Sequence, residues 1–154
     1  MRKWLDPNSV APRRASTYPA AFAAAVEGRE KRALGDALGL TQFGVNLVTL
    51  PPGVWSSQRH WHENEDEFVY VLEGEITLVT DAGEQVLTRG MAAGFPAGAA
   101  DGHHLINRSG EPALYLEVGT RAKVEEAHYS DIDMMAHKAD GRFVFTHKNG
   151  EPYA

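Results

Sequence analysis

Cysteine is absent from this chain of 154 residues. Its absence excludes a disulfide framework, a thiolate nucleophile and a thiolate metal ligand. A chain without cysteine fits the reducing environment of the cytosol, and we therefore expect a cytoplasmic protein.

Long apolar runs and an excess of positive charge are also missing. No stretch approaches the roughly 20 apolar residues that a membrane-spanning helix needs, so we expect no membrane insertion. Arg2 and Lys3 are not followed by an apolar segment, which predicts the absence of a signal peptide. The formal net charge is −6 with neutral histidines, which argues against a general role in binding nucleic acid.

The remaining composition is that of an ordinary globular protein, with 43% hydrophobic and 23% charged residues. The length suffices for one domain with its own core, but not for two comfortable ones. We divide this domain into an N-terminal arm (1–40), a barrel core (41–120) and a C-terminal extension (121–154). The arm contains turn signals and one short helical segment at 20–26.

The middle of the chain reads as a series of short strands. Residues 43–50 alternate in polarity and stop at the turn signal Pro51-Pro52-Gly53. The runs 67–72 and 75–80 flank Glu73-Gly74, which predicts a hairpin between them. Short strands separated by glycine and proline at this spacing predict an all-β fold, an antiparallel sandwich or barrel.

The stretch 60–67 carries the candidate chemistry. His60 and His62 stand one residue apart, so on a strand both side chains point to the same face. The polar run 63–66 reads as a turn, and a hairpin would return Glu67 to the two histidines. Two imidazoles and a carboxylate are typical metal ligands, although such a pair of histidines alone is more often a solvated surface turn. Glu65 and Asp66 are the rivals to Glu67 for the carboxylate position.

A fourth ligand is available in the second half of the chain. His103 begins another short apolar run, 103–107, and can complete the set. His104 follows it directly, and strand alternation should turn that side chain away from the metal. Gln58 shares the parity of His60, and Asn107 shares the parity of His103. We therefore predict substrate contacts for Gln58 and Asn107, although asparagine at such a position more often satisfies a turn.

These residues fall into two motifs that resemble those of the cupin superfamily. The first motif comprises Gly53, His60, His62, Glu67 and Gly74, and the second comprises Gly90, Pro96, Gly98, His103 and Asn107. The spacing departs twice from the usual pattern, with one extra residue before His60 and two extra residues before His103. Both departures fall in predicted loops, where insertions are tolerated.

The resemblance implies a jelly-roll β-barrel that binds one divalent metal ion, Zn, Fe, Mn, Ni or Co, through His60, His62, Glu67 and His103. It leaves three functions open. The first is an enzyme of the isomerase kind that acts on a small polar metabolite such as a sugar or sugar phosphate. The second is a metal-dependent dioxygenase, and the third is a non-catalytic module that binds or senses a small molecule. The sequence pattern does not indicate which residue acts as the catalytic acid or base.

The outer face of the strand that follows Glu67 predicts an assembly. Phe68, Tyr70 and Leu72 alternate with inward-facing valines, so the strand is apolar on both faces and needs cover on both. The arm, the extension or another subunit can supply that cover, and we expect a homodimer. His128, His137 and His147 have no second ligand at a fixed spacing, which indicates surface histidines.

Overall fold

The computed structural model describes residues 2–153, and within them the regular secondary structure is mainly antiparallel β-strands, as predicted. The N-terminal region holds two four-residue helices, α1 (Ala20–Ala23) and α2 (Leu34–Ala37), and 3-10 turns at Pro7–Ser9 and Ala24–Val26. The strands of the described residues are β1 (Glu30–Ala33), β2 (Phe43–Leu50), β3 (His60–His62), β4 (Glu67–Glu73), β5 (Glu75–Thr80), β6 (Gly83–Thr88), β7 (Ala92–Phe95), β8 (His104–Ile106), β9 (Ala113–Thr120), β10 (Glu125–Tyr129), β11 (Met135–Ala139) and β12 (Arg142–Thr146).

The strands form three antiparallel sheets that together make the barrel. Their orders are β1-β2-β9-β4-β7, β12-β11-β10-β3 and β6-β5-β8. The arm contributes one strand, β1, which pairs with β2 at the border of the five-stranded sheet. The extension supplies β10, β11 and β12, so three of the four strands in the sheet that contains His60 and His62 lie beyond residue 120.

The predicted hairpin at Glu73-Gly74 is wrong. β4 pairs with β7 and β9, whereas β5 pairs with β6 and β8 in a different sheet. Gly74 has a φ of +77°, and a Cβ atom at this position would lie 2.8 Å from the carbonyl oxygen of Pro112. The chain therefore turns a corner from one sheet to the next at Gly74, where only a glycine fits without strain.

The main core lies between the five-stranded and three-stranded sheets. Its buried members come from alternate positions of six strands: Val48, Leu50, Val69, Val71, Ile76, Leu87, Leu105, Ala113 and Tyr115. The inward alternation predicted for Val69 and Val71 is confirmed, because both are buried. The predicted metal ligands lie outside this apolar cluster, and we expect the barrel core to form without a metal ion.

A second, smaller core joins the arm to the extension. Tyr18 and Phe22 of the arm pack against a buried cluster in the extension that consists of Ala127, Tyr129, Met134 and Ala136. The arm thus lies over the four-stranded sheet and leaves the outer face of β4 uncovered, where Phe68 and Tyr70 are 44% and 39% exposed. Among the described residues, no helix has both the length and the apolar character to cross a membrane.

Candidate metal centre

β3 and the segment before β8 bring three histidines to one point. His60 and His62 alternate along β3 and therefore share a face. The backbone of His103 pairs directly with that of His60, with His60 N donating to His103 O at 3.2 Å and His103 N donating to His60 O at 2.9 Å. This short antiparallel pairing sets the imidazole of His103 beside the other two.

Glu67 reaches the histidines from the opposite sheet. It is the first residue of β4, and β4 does not pair with β3, so the expectation that a hairpin returns Glu67 to the histidines is corrected. Its Oε1 lies 2.8 Å from His62 Nε2, 3.3 Å from His103 Nε2 and 3.7 Å from His60 Nε2. The separation of His60 Nε2 and His62 Nε2 is 3.1 Å. The site is therefore an inter-sheet contact across the barrel.

The four side chains fit a metal ion better than they fit one another. Glu67 Oε1 and His103 Nε2 are buried without a hydrogen-bond partner of acceptable geometry among the described residues. Four ligands at metal bonds of about 2.1 Å lie about 3.0 to 3.4 Å from their neighbours, close to the separations seen here. The ligand atoms of His60, His62 and Glu67 all lie within 4.8 Å of one another, and His103 Nε2 lies 3.3 Å from Glu67 Oε1. A donor set of three imidazoles and a carboxylate suits a divalent ion.

Burial and the charges of neighbouring site residues shift the pKa values of His60, His62 and Glu67. Burial lowers the pKa of His60 to about 4, so that its imidazole is neutral at physiological pH. Burial also works to lower the pKa of His62, but the close contact and charge of Glu67 outweigh it and raise that pKa. For Glu67, burial works to raise the pKa, whereas the contacts with His103 and His62 hold it well below its usual range. A carboxylate is therefore maintained at the site.

Neighbouring groups contact the imidazoles on the sides that face away from the candidate metal centre. His60 Nδ1 lies 2.7 Å from the carbonyl oxygen of Gln58, which accepts its proton when Nε2 faces the centre. The ring of Phe95 stacks on His103 at a centroid distance of 3.6 Å. His104 turns away as predicted, with its Nδ1 2.9 Å from the carbonyl oxygen of Ser57. These contacts fix the ring orientations before any ligand arrives.

The substrate contacts predicted for Gln58 and Asn107 are replaced by structural contacts. The Gln58 side chain donates to the carbonyl oxygen of Phe22 at 3.1 Å. Asn107 is fully buried, donates to the carbonyl oxygens of Leu50 and Glu111, and accepts from Ser109. Neither residue lines the cavity in front of the histidines, because each side chain bonds to backbone groups elsewhere in the fold.

The rivals of Glu67 also have other partners. Asp66 accepts from the backbone N–H of Ala97 at 2.7 Å and holds the loop after β7. Glu65 lies behind His62, with Oε1 3.7 Å from His62 Nδ1, and it pairs with Lys138. The histidines of the extension pair with carboxylates near the surface: His128 with Glu63, His137 with Glu126, and His147 with Asp133.

A cavity of about 990 Å³ opens in front of the four converging side chains. One wall carries a polar group that the sequence did not reveal. Glu117 Oε1 accepts from Lys31 Nζ at 2.7 Å and from Asn46 Nδ2 at 2.9 Å. Glu117 and Lys31 keep 25% and 29% of their side chains exposed, so both remain within reach of a ligand. Their positions on separate strands, far apart in sequence, left no spacing signal.

The fold and the site define a β-barrel protein with a cluster of potential metal ligands at the floor of a large cavity. A family model of the cupin domain matches residues 46–119. The chain is 50% identical to a crystal structure described as a sugar phosphate isomerase of the cupin superfamily from Silicibacter pomeroyi, covering 98% of this chain and 96% of that one with a TM-score of 0.94. The chain therefore belongs to the cupin superfamily, as its motifs predicted.

Two further structures extend the comparison. A protein from Acidithiobacillus ferrooxidans, provisionally described as a sugar phosphate isomerase, is 28% identical, with 82% of this chain and 80% of that one covered and a TM-score of 0.74. A polyketide cyclase from Streptomyces resistomycificus is 24% identical over 78% of this chain and 80% of that one, with a TM-score of 0.65, and shows the fold alone. No curated protein sequence matches the chain significantly.

Proposed function

We propose that this protein binds one divalent metal ion through His60, His62, Glu67 and His103 and isomerises a small hydroxy-carbonyl compound of the sugar or sugar phosphate class. The observation that carries the proposal is that Glu67 Oε1 and His103 Nε2 are buried without hydrogen-bond partners among the described residues. They lie beside His60 and His62 at the floor of an open cavity. A cavity of this size accommodates a small polar metabolite with room to spare.

The similarity to the Silicibacter pomeroyi protein supports the choice of reaction. That protein is described as a sugar phosphate isomerase, and half of its aligned residues are identical to those of this chain over nearly the full length of both. Fold alone does not determine the reaction, because one fold hosts many activities. The donor set adds a chemical argument, since imidazoles and a carboxylate suit Zn, Fe, Mn, Ni or Co, and a bound ion would supply Lewis acidity to a hydroxyl or carbonyl oxygen.

An isomerisation of this kind also requires a group that moves a proton between neighbouring carbons. We assign this role to Glu117, which lies on the cavity wall on the strand next to that of Glu67. Its carboxylate would take the proton from the carbon that carries the hydroxyl group, which gives an enediolate. The hydroxyl proton would pass to the former carbonyl oxygen, and protonated Glu117 would return its proton to the former carbonyl carbon. Lys31, 2.7 Å from Glu117, keeps the carboxylate oriented and offsets its charge.

Cationic side chains around the cavity suit a phosphorylated substrate. The sequence shows no arginine cluster and no glycine-rich phosphate loop, but the fold gathers cationic residues from distant segments on the cavity lining: Arg29, Lys31, Arg121, Lys123 and Lys138. Several of these are paired with carboxylates, including Arg121 with Asp36. A phosphate group at the mouth would therefore compete with existing ion pairs and would find compensating positive charge there.

Metal reconstitution followed by a turnover assay tests the proposal. Chelator-treated protein is loaded separately with Zn²⁺, Mn²⁺, Fe²⁺, Co²⁺ or Ni²⁺ and incubated with a panel of aldose and ketose phosphates, with conversion followed by NMR. We expect one equivalent of bound metal and metal-dependent interconversion of at least one aldose–ketose pair. Substrate-dependent oxygen uptake with Fe²⁺ would instead favour a dioxygenase. Metal binding without any turnover would favour a binding or sensing module.

A further inference from the structure

His60 and His62 differ in the hydrogen-bond acceptor that faces Nδ1 of the imidazole. A histidine that coordinates a metal through Nε2 carries a proton on Nδ1, and a carboxylate or carbonyl oxygen usually accepts that proton. For His60 the acceptor is the carbonyl oxygen of Gln58. For His62, Nδ1 is buried and has no hydrogen-bond partner among the residues that the structure describes.

Two buried carboxylates, Glu65 and Glu125, lie close to His62. Among the described residues, only Glu65 has an oxygen that accepts no other hydrogen bond. Glu125 is fully buried, and its two oxygens accept hydrogen bonds from the backbone N–H groups of Glu63, Asn64 and Glu126. Glu125 therefore fixes the loop between β3 and β4. Glu65 places Oε1 3.7 Å from His62 Nδ1, while its Oε2 takes the hydrogen bonds from Lys138 Nζ at 2.6 Å and Ala122 N at 2.9 Å.

The pairing of Glu65 with Lys138 argues for a role beyond folding. Both side chains are nearly inaccessible, at 8% and 10% exposure. A buried ion pair is weak support for stability, because well-packed apolar residues of similar volume often stabilise a fold equally or better. Here the pair joins β11 of the C-terminal extension to the loop beside a predicted ligand, and it leaves one carboxylate oxygen directed at the imidazole.

We infer that Glu65, held by Lys138, is a positioning residue that accepts the Nδ1 proton of His62 and thereby orients this imidazole for metal binding. A shift of less than 1 Å closes the 3.7 Å separation to a hydrogen bond. The inference places one determinant of metal affinity in Glu65, which lies between the named positions of the first cupin motif, and in Lys138, which lies beyond both motifs. It rests on the proposed metal centre and is independent of the proposed reaction.

The test measures Co²⁺ affinity of the metal-free full chain by competition with a chelator of known affinity. Loss of such a partner typically weakens metal binding about 10- to 100-fold, and we expect a loss in that range for Glu65→Gln. Because Glu65→Gln leaves Lys138 buried without its partner, the double variant Glu65→Gln, Lys138→Met removes both charges and guards against misfolding. Glu84→Gln, on the distant strand β6, is the matched control and should bind Co²⁺ like the wild type.

A double-mutant cycle separates positioning from a general structural effect. In the His62→Ala background the Glu65→Gln substitution should cause no further loss of Co²⁺ affinity, whereas in the His60→Ala background the loss should persist. Unchanged affinity in the double variant, or an equal loss in both backgrounds, would overturn the inference. A wild-type protein that binds Co²⁺ without isomerising any substrate would defeat the proposed reaction alone. A wild-type protein that does not bind Co²⁺ would overturn both.

Discussion

His62 Nε2 lies 2.8 Å from Glu67 Oε1, although the two residues belong to different sheets. A metal ion bound by both side chains would connect the four-stranded sheet to the five-stranded sheet. The main apolar core nevertheless lies elsewhere, between the five-stranded and three-stranded sheets, and includes none of the proposed ligands. We therefore expect metal binding and folding to be separable in this protein.

We expect the chelator-treated protein to stay folded and to unfold at a lower temperature than the metal-bound form. Free metal at 100 times its dissociation constant would stabilise the native state by about 2.7 kcal/mol. Circular dichroism melts with and without Zn²⁺ measure the difference, and His62→Ala should lose most of the metal-dependent shift. Complete unfolding of the metal-free protein would instead indicate a structural metal.

The histidines of the site follow from local rules that operate within a strand. Alternation places His60 and His62 on one face, and the same rule turns His104 away from His103. The route by which Glu67 reaches them does not follow from local rules, because the polar run 63–66 has the composition of a hairpin turn, whereas β3 and β4 lie in different sheets. Glu73-Gly74 has the same kind of composition and serves as a corner between sheets. Local turn chemistry determines that the chain changes direction, but not which strand it then pairs with.

The polar pairs around the cavity have no local signature at all. Lys31 and Glu117 are 86 residues apart, and Glu65 and Lys138 are 73 residues apart. The first pair forms because β1 of the arm joins the barrel, and the second forms because β11 of the extension does. No spacing of residues in the sequence predicts either contact. Local rules can also mislead, as Gln58 and Asn107 show. Each shares its strand parity with a predicted ligand, yet neither side chain lies in the cavity.

Gly74→Ala should destabilise the fold more than Gly53→Ala. Both glycines have positive φ, +77° and +82°, so each substitution incurs about 1–2 kcal/mol of backbone strain. Only at position 74 would the new methyl group approach backbone atoms, at 2.8 Å from Pro112 O, whereas position 53 is open. Urea unfolding of the two variants measures the difference, and equal losses would contradict the close corner.

A homodimer remains our expectation for the uncovered outer face of β4. Phe68 and Tyr70 stay exposed there, beside the apolar Leu116 and Val118 of the neighbouring strand β9. Light scattering at micromolar concentration should give twice the chain mass of 16.9 kDa. Tyr70→Glu should shift the protein toward the monomer, and Val144→Glu, at an exposed position of β12, should not. A wild-type monomer would exclude the dimer.

Metal affinity should fall with falling pH in two steps. The pKa of His62 is raised above its ordinary value of 6.5, so His62 is partly protonated near neutral pH and must release that proton to bind metal. The pKa of His60 is lowered to about 4, so His60 competes only in stronger acid. Calorimetry in two buffers of different ionisation enthalpy measures the protons released. We expect up to about one proton per metal near pH 7 and fewer above it, and a value independent of pH from 5 to 8 would contradict this assignment.

Glu117→Gln should abolish most of the proposed isomerisation while leaving the metal in place. The amide keeps the size of the side chain and can still contact Asn46, but it cannot take a proton from carbon. Loss of a general base typically lowers kcat about 10²- to 10⁴-fold, with little change in KM when substrate binding is intact. Steady-state kinetics on the aldose phosphate found by the reconstitution assay, together with metal analysis, measure both quantities.

Two further variants make the Glu117 experiment specific. Lys31→Met removes the cation 2.7 Å from Glu117 and should lower kcat less than Glu117→Gln, because the carboxylate itself remains. Glu126→Gln changes a partly exposed carboxylate on β10 that pairs with His137, and it should leave kcat unchanged. If Glu117→Gln retained the wild-type kcat with full metal content, the proton would have to move through another group of the cavity. In that case Lys138 and Tyr129, which also line the cavity, would be the next residues to substitute.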